Sequence, residues 1–117
     1  ALLDYLRADM AFLPVERVRI LYLNAKNMLI RDEPLSDGSV DEAAVYVREV
    51  IKRALDYQAT AIILVHNHPS GDPQPSQQDI RLTREIIDAA RPLRISVHDH
   101  VIVGASGHSS MRAMGLI

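Results

Sequence analysis

Two hydrophobic periods take turns along this chain. One is near two and the other near 3.6, and their order predicts a mixed α/β architecture. Ala1 to Phe12 has helical spacing. Arg17 to Leu23 then puts Val18, Ile20 and, less strictly, Tyr22 on alternate positions, and Asn24-Ala25-Lys26-Asn27 turns the chain into Met28-Leu29-Ile30. That arrangement predicts an antiparallel hairpin. Asp32 to Ser39, with Pro34 and Gly38, reads as a polar loop. A helix is expected from Asp41 to about Tyr57, with Ala44, Val47, Ile51, Ala54 and Leu55 facing inward. Arg48, Glu49, Lys52, Arg53 and Asp56 would form a solvated outer face of mixed sign. Ala61 to Val65 is short, apolar and β-branched, as a buried strand would be, and Ile95 to Val103 is a second strand-like run. Between them, Ile80, Thr83, Ile86, Ile87 and Ala90 keep helical spacing. Connections are short and no repeat interrupts them, so residues 1–117 are expected to form a single compact unit.

Candidate chemistry concentrates in the stretch that leaves the buried strand, His66-Asn67-His68-Pro69-Ser70-Gly71-Asp72-Pro73-Gln74-Pro75-Ser76-Gln77-Gln78-Asp79. Strand side chains alternate faces, so His66 and His68 can converge on one metal ion while Asn67 points elsewhere. The Pro/Gly-rich loop turns the chain, and Asp79 then falls in the first turn of the next helix. A hydrolytic zinc site uses three protein ligands and keeps a fourth position for water, whose pKa falls to about 7. His66, His68 and Asp79 meet that count. Each part also has a plainer role: Ser76-x-x-Asp79 is a helix-capping signature, and a partly buried histidine is more often a hydrogen-bonded structural group than a ligand. The joint spacing favours the metal. The contiguous letters His-Asn-His carry no weight as a nuclease motif, whose residues lie far apart.

The whole pattern, His-x-His, seven residues, Ser, two residues, Asp, resembles the JAMM motif of MPN-domain metalloproteases position for position. HNHPSGDPQPSQQD is similar, more narrowly, to the signature of the RadC family of bacterial JAMM-like proteins, and the resemblance covers nearly the whole chain. It includes Glu16 to Asn27 upstream, His98-Asp99-His100-Val101-Ile102-Val103-Gly104 downstream, and Ser110 to Leu116. Met111 stands where that family commonly has an aromatic. The resemblance implies a JAB/MPN-type fold, a cytidine-deaminase-like mixed sheet flanked by helices, with one zinc ion per chain. It also implies that Glu16, eight positions before Asn24, is the general base against a zinc-activated water, with Asp32, Glu33 and Asp37 as rivals. Ser76 would stabilise the oxyanion or position water. Asp99 and His100 would support the site by orienting a ligand, or else form a hydrogen-bonded internal pair. Alternation would put His98 and His100 on one face. No carboxylate follows them at a suitable spacing, and His108 reads as a solvent-facing turn residue.

Composition narrows the class without changing it. The chain has 117 residues, 48% hydrophobic but only 4% aromatic, enough for one largely aliphatic core. It contains no cysteine, which excludes a disulfide framework and a thiolate nucleophile. No signal peptide is visible and no apolar run approaches the ~20 residues of a membrane helix, so the expected location is cytoplasmic. The start at Ala1, without an initiator methionine, suggests a domain excised from a longer protein. The leading functional expectation is zinc-dependent hydrolysis of an amide or isopeptide bond in an unknown peptide or protein substrate. The alternatives are a DNA-repair-associated nucleic-acid-binding or nuclease module and a non-catalytic MPN scaffold. Thirteen Lys+Arg against fifteen Asp+Glu give a net charge of −2, which does little for binding to DNA phosphates. Arg81, Arg84, Arg91 and Arg94 nevertheless offer a local patch, interrupted by Glu85 and Asp88. Nothing in the pattern specifies an oligomeric state.

Overall fold

The structure, a computed structural model, describes residues 2–37 and 43–117. Asp41, Gly38, Ser39 and Ala1, and the side chains of Asp37 and Ala44, lie outside the described residues. In chain order the elements are α1 (Leu2–Met10), β1 (Arg17–Leu23), β2 (Leu29–Asp37), α2 (Ala43–Asp56), β3 (Ala61–Asn67), α3 (Gln77–Ala90), a 3-10 turn (Arg91–Leu93), β4 (Ser96–Gly104) and β5 (Gly107–Ser110). The strands form one sheet in the order β2-β1-β3-β4-β5. β3 and β4 are parallel and every other neighbouring pair is antiparallel. This mixed sheet flanked by helices is the α/β architecture that the sequence predicts. None of the described helices is long and apolar enough to cross a membrane.

Both faces of the sheet are covered, which explains why its central strands are apolar almost throughout. On one face Val18, Ile20, Tyr22, Ile62 and Leu64 pack against Tyr46, Val50 and Ala54 of α2 and Ile86 and Ala90 of α3. On the other, Leu21, Val65 and Val103 pack against Leu6 and Met10 of α1. The hairpin turn between β1 and β2 forms at Asn24–Asn27 as expected. The Asn24 side chain accepts from the amides of Lys26 and Met28, and Asn27 takes the left-handed conformation that asparagine tolerates.

Three local expectations need correction. β2 continues through Asp32 and Pro34 to Asp37 in place of a polar loop. It is an edge strand, where a proline that donates no ladder bond is tolerated, and the register shifts beside Pro34. The inner stripe of α2 is Tyr46, Val50 and Ala54 at a spacing of four, which leaves Leu55 about half exposed. In β4 a register shift skips His98, so alternation breaks there and His98 does not share the face of His100. His98 bonds instead to the Asn27 side chain, 2.8 Å away.

Asp32 of β2 is held by a buried arginine. Arg19, 7% exposed, grips Asp32 with Nε at 2.9 Å and Nη2 at 2.5 Å, donates to the Tyr5 hydroxyl, and is bonded to Asp9. One guanidinium thus ties α1 to two strands. Burial disfavours ionisation of Asp32, but hydrogen bonds from Arg19 and Tyr5 outweigh it and hold the carboxyl below its usual range. A carboxylate depressed in the folded state contributes stability above its unfolded pKa and loses that contribution as pH falls through the folded value. Asp32→Ala is therefore expected to cost about 3 kcal/mol near neutral pH by urea denaturation. The gap from the parent should narrow on acidification below about pH 4, and a pH-independent gap would contradict the ion-pair account.

Candidate metal centre

The site lies at the C-terminal ends of the parallel strands β3 and β4, where α/β folds tend to place chemistry. His66, on β3, is 2% exposed and faces α3. His68 follows one residue past the strand end, its amide bonded to the Val103 carbonyl at 2.9 Å. The loop beyond folds back on the β4–β5 turn. The Gly71 carbonyl accepts from the Ser106 amide at 3.1 Å, and the Pro73 carbonyl from the Ser109 hydroxyl at 2.6 Å. A Cβ at Gly104 would come within 2.5 Å of the Gly71 oxygen, so glycine there allows the close backbone contact that seats the loop.

The capping signature is real and is also part of the cluster. Ser76 is the N-cap of α3, its Oγ accepting from the Asp79 amide at 3.0 Å. Asp79 Oδ2 accepts from the Ser76 amide at 2.9 Å. That same oxygen lies 3.2 Å from His68 Nε2 and 3.4 Å from His66 Nε2, and the two Nε2 atoms are 2.9 Å apart. Burial opposes ionisation of Asp79, but the His66 hydrogen bond and charge, together with Ser76, hold its carboxyl well below the ordinary range.

Hydrogen-bond bookkeeping fixes which ring nitrogens face the centre. A carbonyl can only accept, so His68 Nδ1, 2.9 Å from the Asp72 carbonyl, carries its proton and leaves Nε2 with a lone pair. Thr83 Oγ1 donates to the Asp79 carbonyl at 2.7 Å and so must accept from His100 Nδ1 at 2.6 Å. Burial, and then the charge of His66, lower the pKa of His100 well below that of an ordinary histidine and keep it neutral. Its Nε2 therefore accepts from His66 Nδ1 at 2.6 Å. In the neutral imidazole His66 Nε2 is then, like its counterpart, the lone-pair nitrogen, and it is aimed inward. Two imidazole Nε2 atoms and a carboxylate oxygen thus face one another at 2.9–3.4 Å, where the Asp79 carboxylate can only accept. Only added protons or a cation can reconcile that arrangement. Ligand atoms of a tetrahedral zinc site are separated by about 3.3 Å, so the donor set fits such an ion.

Glu16 joins the group, its Oε1 3.7 Å from His66 Nε2 and its side chain about half exposed. Glu16, His66, His68 and Asp79 offer ligand atoms that all lie within 4.8 Å of one another and could hold a metal ion. Two of Glu16's three rivals are engaged elsewhere, Asp32 with Arg19 and Glu33 with the Tyr57 hydroxyl, while the side chain of Asp37 lies outside the described residues. The structure brings His100 to His66 but does not bring Asp99 to the cluster. Asp99 accepts from Ser110 Oγ at 2.5 Å and from the Arg112 amide at 3.1 Å, fastening the C-terminal segment. His108 is exposed on β5 and is not a turn residue. Met111 is fully buried against Ile80 and Ile102, so the position held by an aromatic in the similar family is filled. Thr83 went unnoticed as a site residue because its place in the apolar stripe of α3 looked like packing.

A family model described as the RadC-like JAB domain matches residues 1–116.

Thr83→Val keeps the shape of the side chain but removes the acceptor for His100 Nδ1. It should destabilise the chain by about 1–3 kcal/mol and release the fixed tautomer of His66. Side-chain nitrogen NMR on the metal-free protein reads that tautomer directly, and an unchanged His66 spectrum would refute the hydrogen-bond chain.

Proposed function

Because the chain belongs to the RadC-like JAB domain family, we propose that it is a zinc-dependent hydrolase of the JAMM type, cleaving an amide or isopeptide bond in a peptide or protein. The observation that carries this reading is the convergence of two imidazole lone pairs and one carboxylate oxygen, beside a second carboxylate, at a strand end. In the proposal His66, His68 and Asp79 hold the metal. Two nitrogens and one oxygen suit zinc, and the two carboxylates offset the charge of a divalent ion. When bound, zinc supplies a Lewis acid that polarises a carbonyl and lowers the pKa of water to about 7.

The chain's own groups divide the remaining work. Glu16 is half exposed at the rim, so its Oε1 can take a proton from an attacking water and return it to the leaving nitrogen. Ser76 is exposed, and because its Oγ already accepts from Asp79, its hydroxyl proton is available to a developing oxyanion. His100 and Thr83 keep His66 in the tautomer that presents Nε2.

The nucleic-acid alternative has weaker support. Arg84 donates to the Leu116 carbonyl and Arg91 lies 3.6 Å from Asp88, so part of the suspected basic patch is engaged within the chain. A non-catalytic scaffold would have no use for a full donor set with its tautomers fixed.

Elemental analysis after chelator-free purification is expected to find about one zinc per chain, lost in His68→Ala and in Asp79→Ala. Glu16→Gln should retain stoichiometric zinc while lowering kcat for amide cleavage by about 10²–10⁴-fold. Chelation should abolish cleavage and added zinc restore it. A parent that takes up no zinc, even when zinc is supplied, would sink the hydrolase reading.

A further inference from the structure

Between the two histidines of the site sits a residue that faces away from it. Asn67 is fully buried, and both polar atoms of its amide are used. Oδ1 accepts from the Arg17 amide at 2.6 Å, and Nδ2 donates to the Val15 carbonyl at 2.9 Å. These two backbone groups flank Glu16. We propose that Asn67 is the positioning residue for Glu16, locking the base to the strand that carries His66 and leads directly into His68. The idea rests on the hydrolase reading and deepens it.

Strand register shows why a side chain is needed there. The antiparallel β1–β3 ladder ends at Val18 opposite His66, so Arg17 would be the next residue opposite Asn67. The Asn67 amide takes over at that point, offering one donor and one acceptor as a peptide group would, and carries the pairing past Glu16 to Val15. Ahead of it, Ala11 and Leu13 are bonded back to α1 through their amides. Residues 11–16 lie outside helix and strand, Phe12 is 80% exposed and Val15 is about half exposed. Asparagine suits the task because aspartate would lack the donor for the Val15 carbonyl and leucine, similar in shape, would lack both bonds. Alternation does the rest: three consecutive residues of one strand end give an inward histidine, a clamp on the opposite face, and an inward histidine again.

The test is a double-mutant cycle on zinc affinity, using competition with a chelating indicator on the parent, Asn67→Leu, Glu16→Gln and the double variant. The Glu16 carboxylate lies within the ligand cluster, so Glu16→Gln should weaken zinc binding about tenfold. Asn67→Leu should weaken it by up to the same factor, and by no further factor once Glu16 is replaced. A merely structural role would weaken zinc equally in both backgrounds, and that result, or no effect in either, overturns the proposal. A parent that binds no zinc overturns the hydrolase reading and the proposal with it, whereas a binding parent with multiplying factors overturns the proposal alone. Should Asn67→Leu fail to fold, amide exchange in the unmodified chain decides: Arg17 should be protected to the same degree as Val18, and rapid exchange at Arg17 refutes the clamp.

Discussion

Strand β3 is hemmed in on every side, and the chemistry of this chain depends on that confinement. β1 and β4 occupy its two edges, and helices cover both faces of the sheet around it. Each side chain at its C-terminal end is therefore committed to one layer or the other, and a slip of one residue would exchange the histidine face for the asparagine face. Polar groups brought into such a place must be fully partnered. His66 is satisfied by His100, His100 by Thr83, and Thr83 by the main chain of α3. His66 Nε2, His68 Nε2 and Asp79 Oδ2, which point at the centre, are left facing one another.

The carboxylate of Asp79 shows why a structural role and a chemical one need not compete. Its Oδ2 has lone pairs enough to accept from the Ser76 amide and still face both imidazoles. The capping box does for Asp79 what the hydrogen-bond chain does for His66. It holds the ligand atom in place, while the positive end of the helix dipole favours the ionised form. Removing the cap would then loosen the centre as well as the helix end.

How far this was legible in sequence varies with the kind of signal. β3, α3 and the first hairpin could be read because apolar period and turn chemistry agree, and the His-x-His to Asp79 spacing turns directly into geometry. The continuation of β2 was hidden because its polar residues look solvated until Arg19 and Tyr57 are brought across to meet them. The break at His98 was hidden for a different reason: a bulge is set by pairing with a neighbour, here β3, which no local pattern encodes. Thr83 and Asn67 were overlooked because their partners are 17 and 50 or more residues away in the chain. One had the periodicity of packing and the other pointed away from the motif that framed it.

The arrangement also bears on how a small domain can hold an ion with few ligands. A metal must usually displace protons from its ligands and order them, and both costs subtract from affinity. Here Asp79 is already held ionised by its neighbours, and in both histidines Nδ1 is already engaged within the protein, which turns Nε2 toward the centre. Loop, helix cap and strand have fixed the three ligand atoms at spacings close to those of a tetrahedral site. Part of the ordering cost is thus met when the chain folds, and an ion entering would find donors already in place. The same economy explains why so much buried polar structure is gathered at one end of a largely aliphatic core. Each of those hydrogen bonds orients a ligand, and none of them could be replaced by hydrocarbon without leaving an imidazole free to turn.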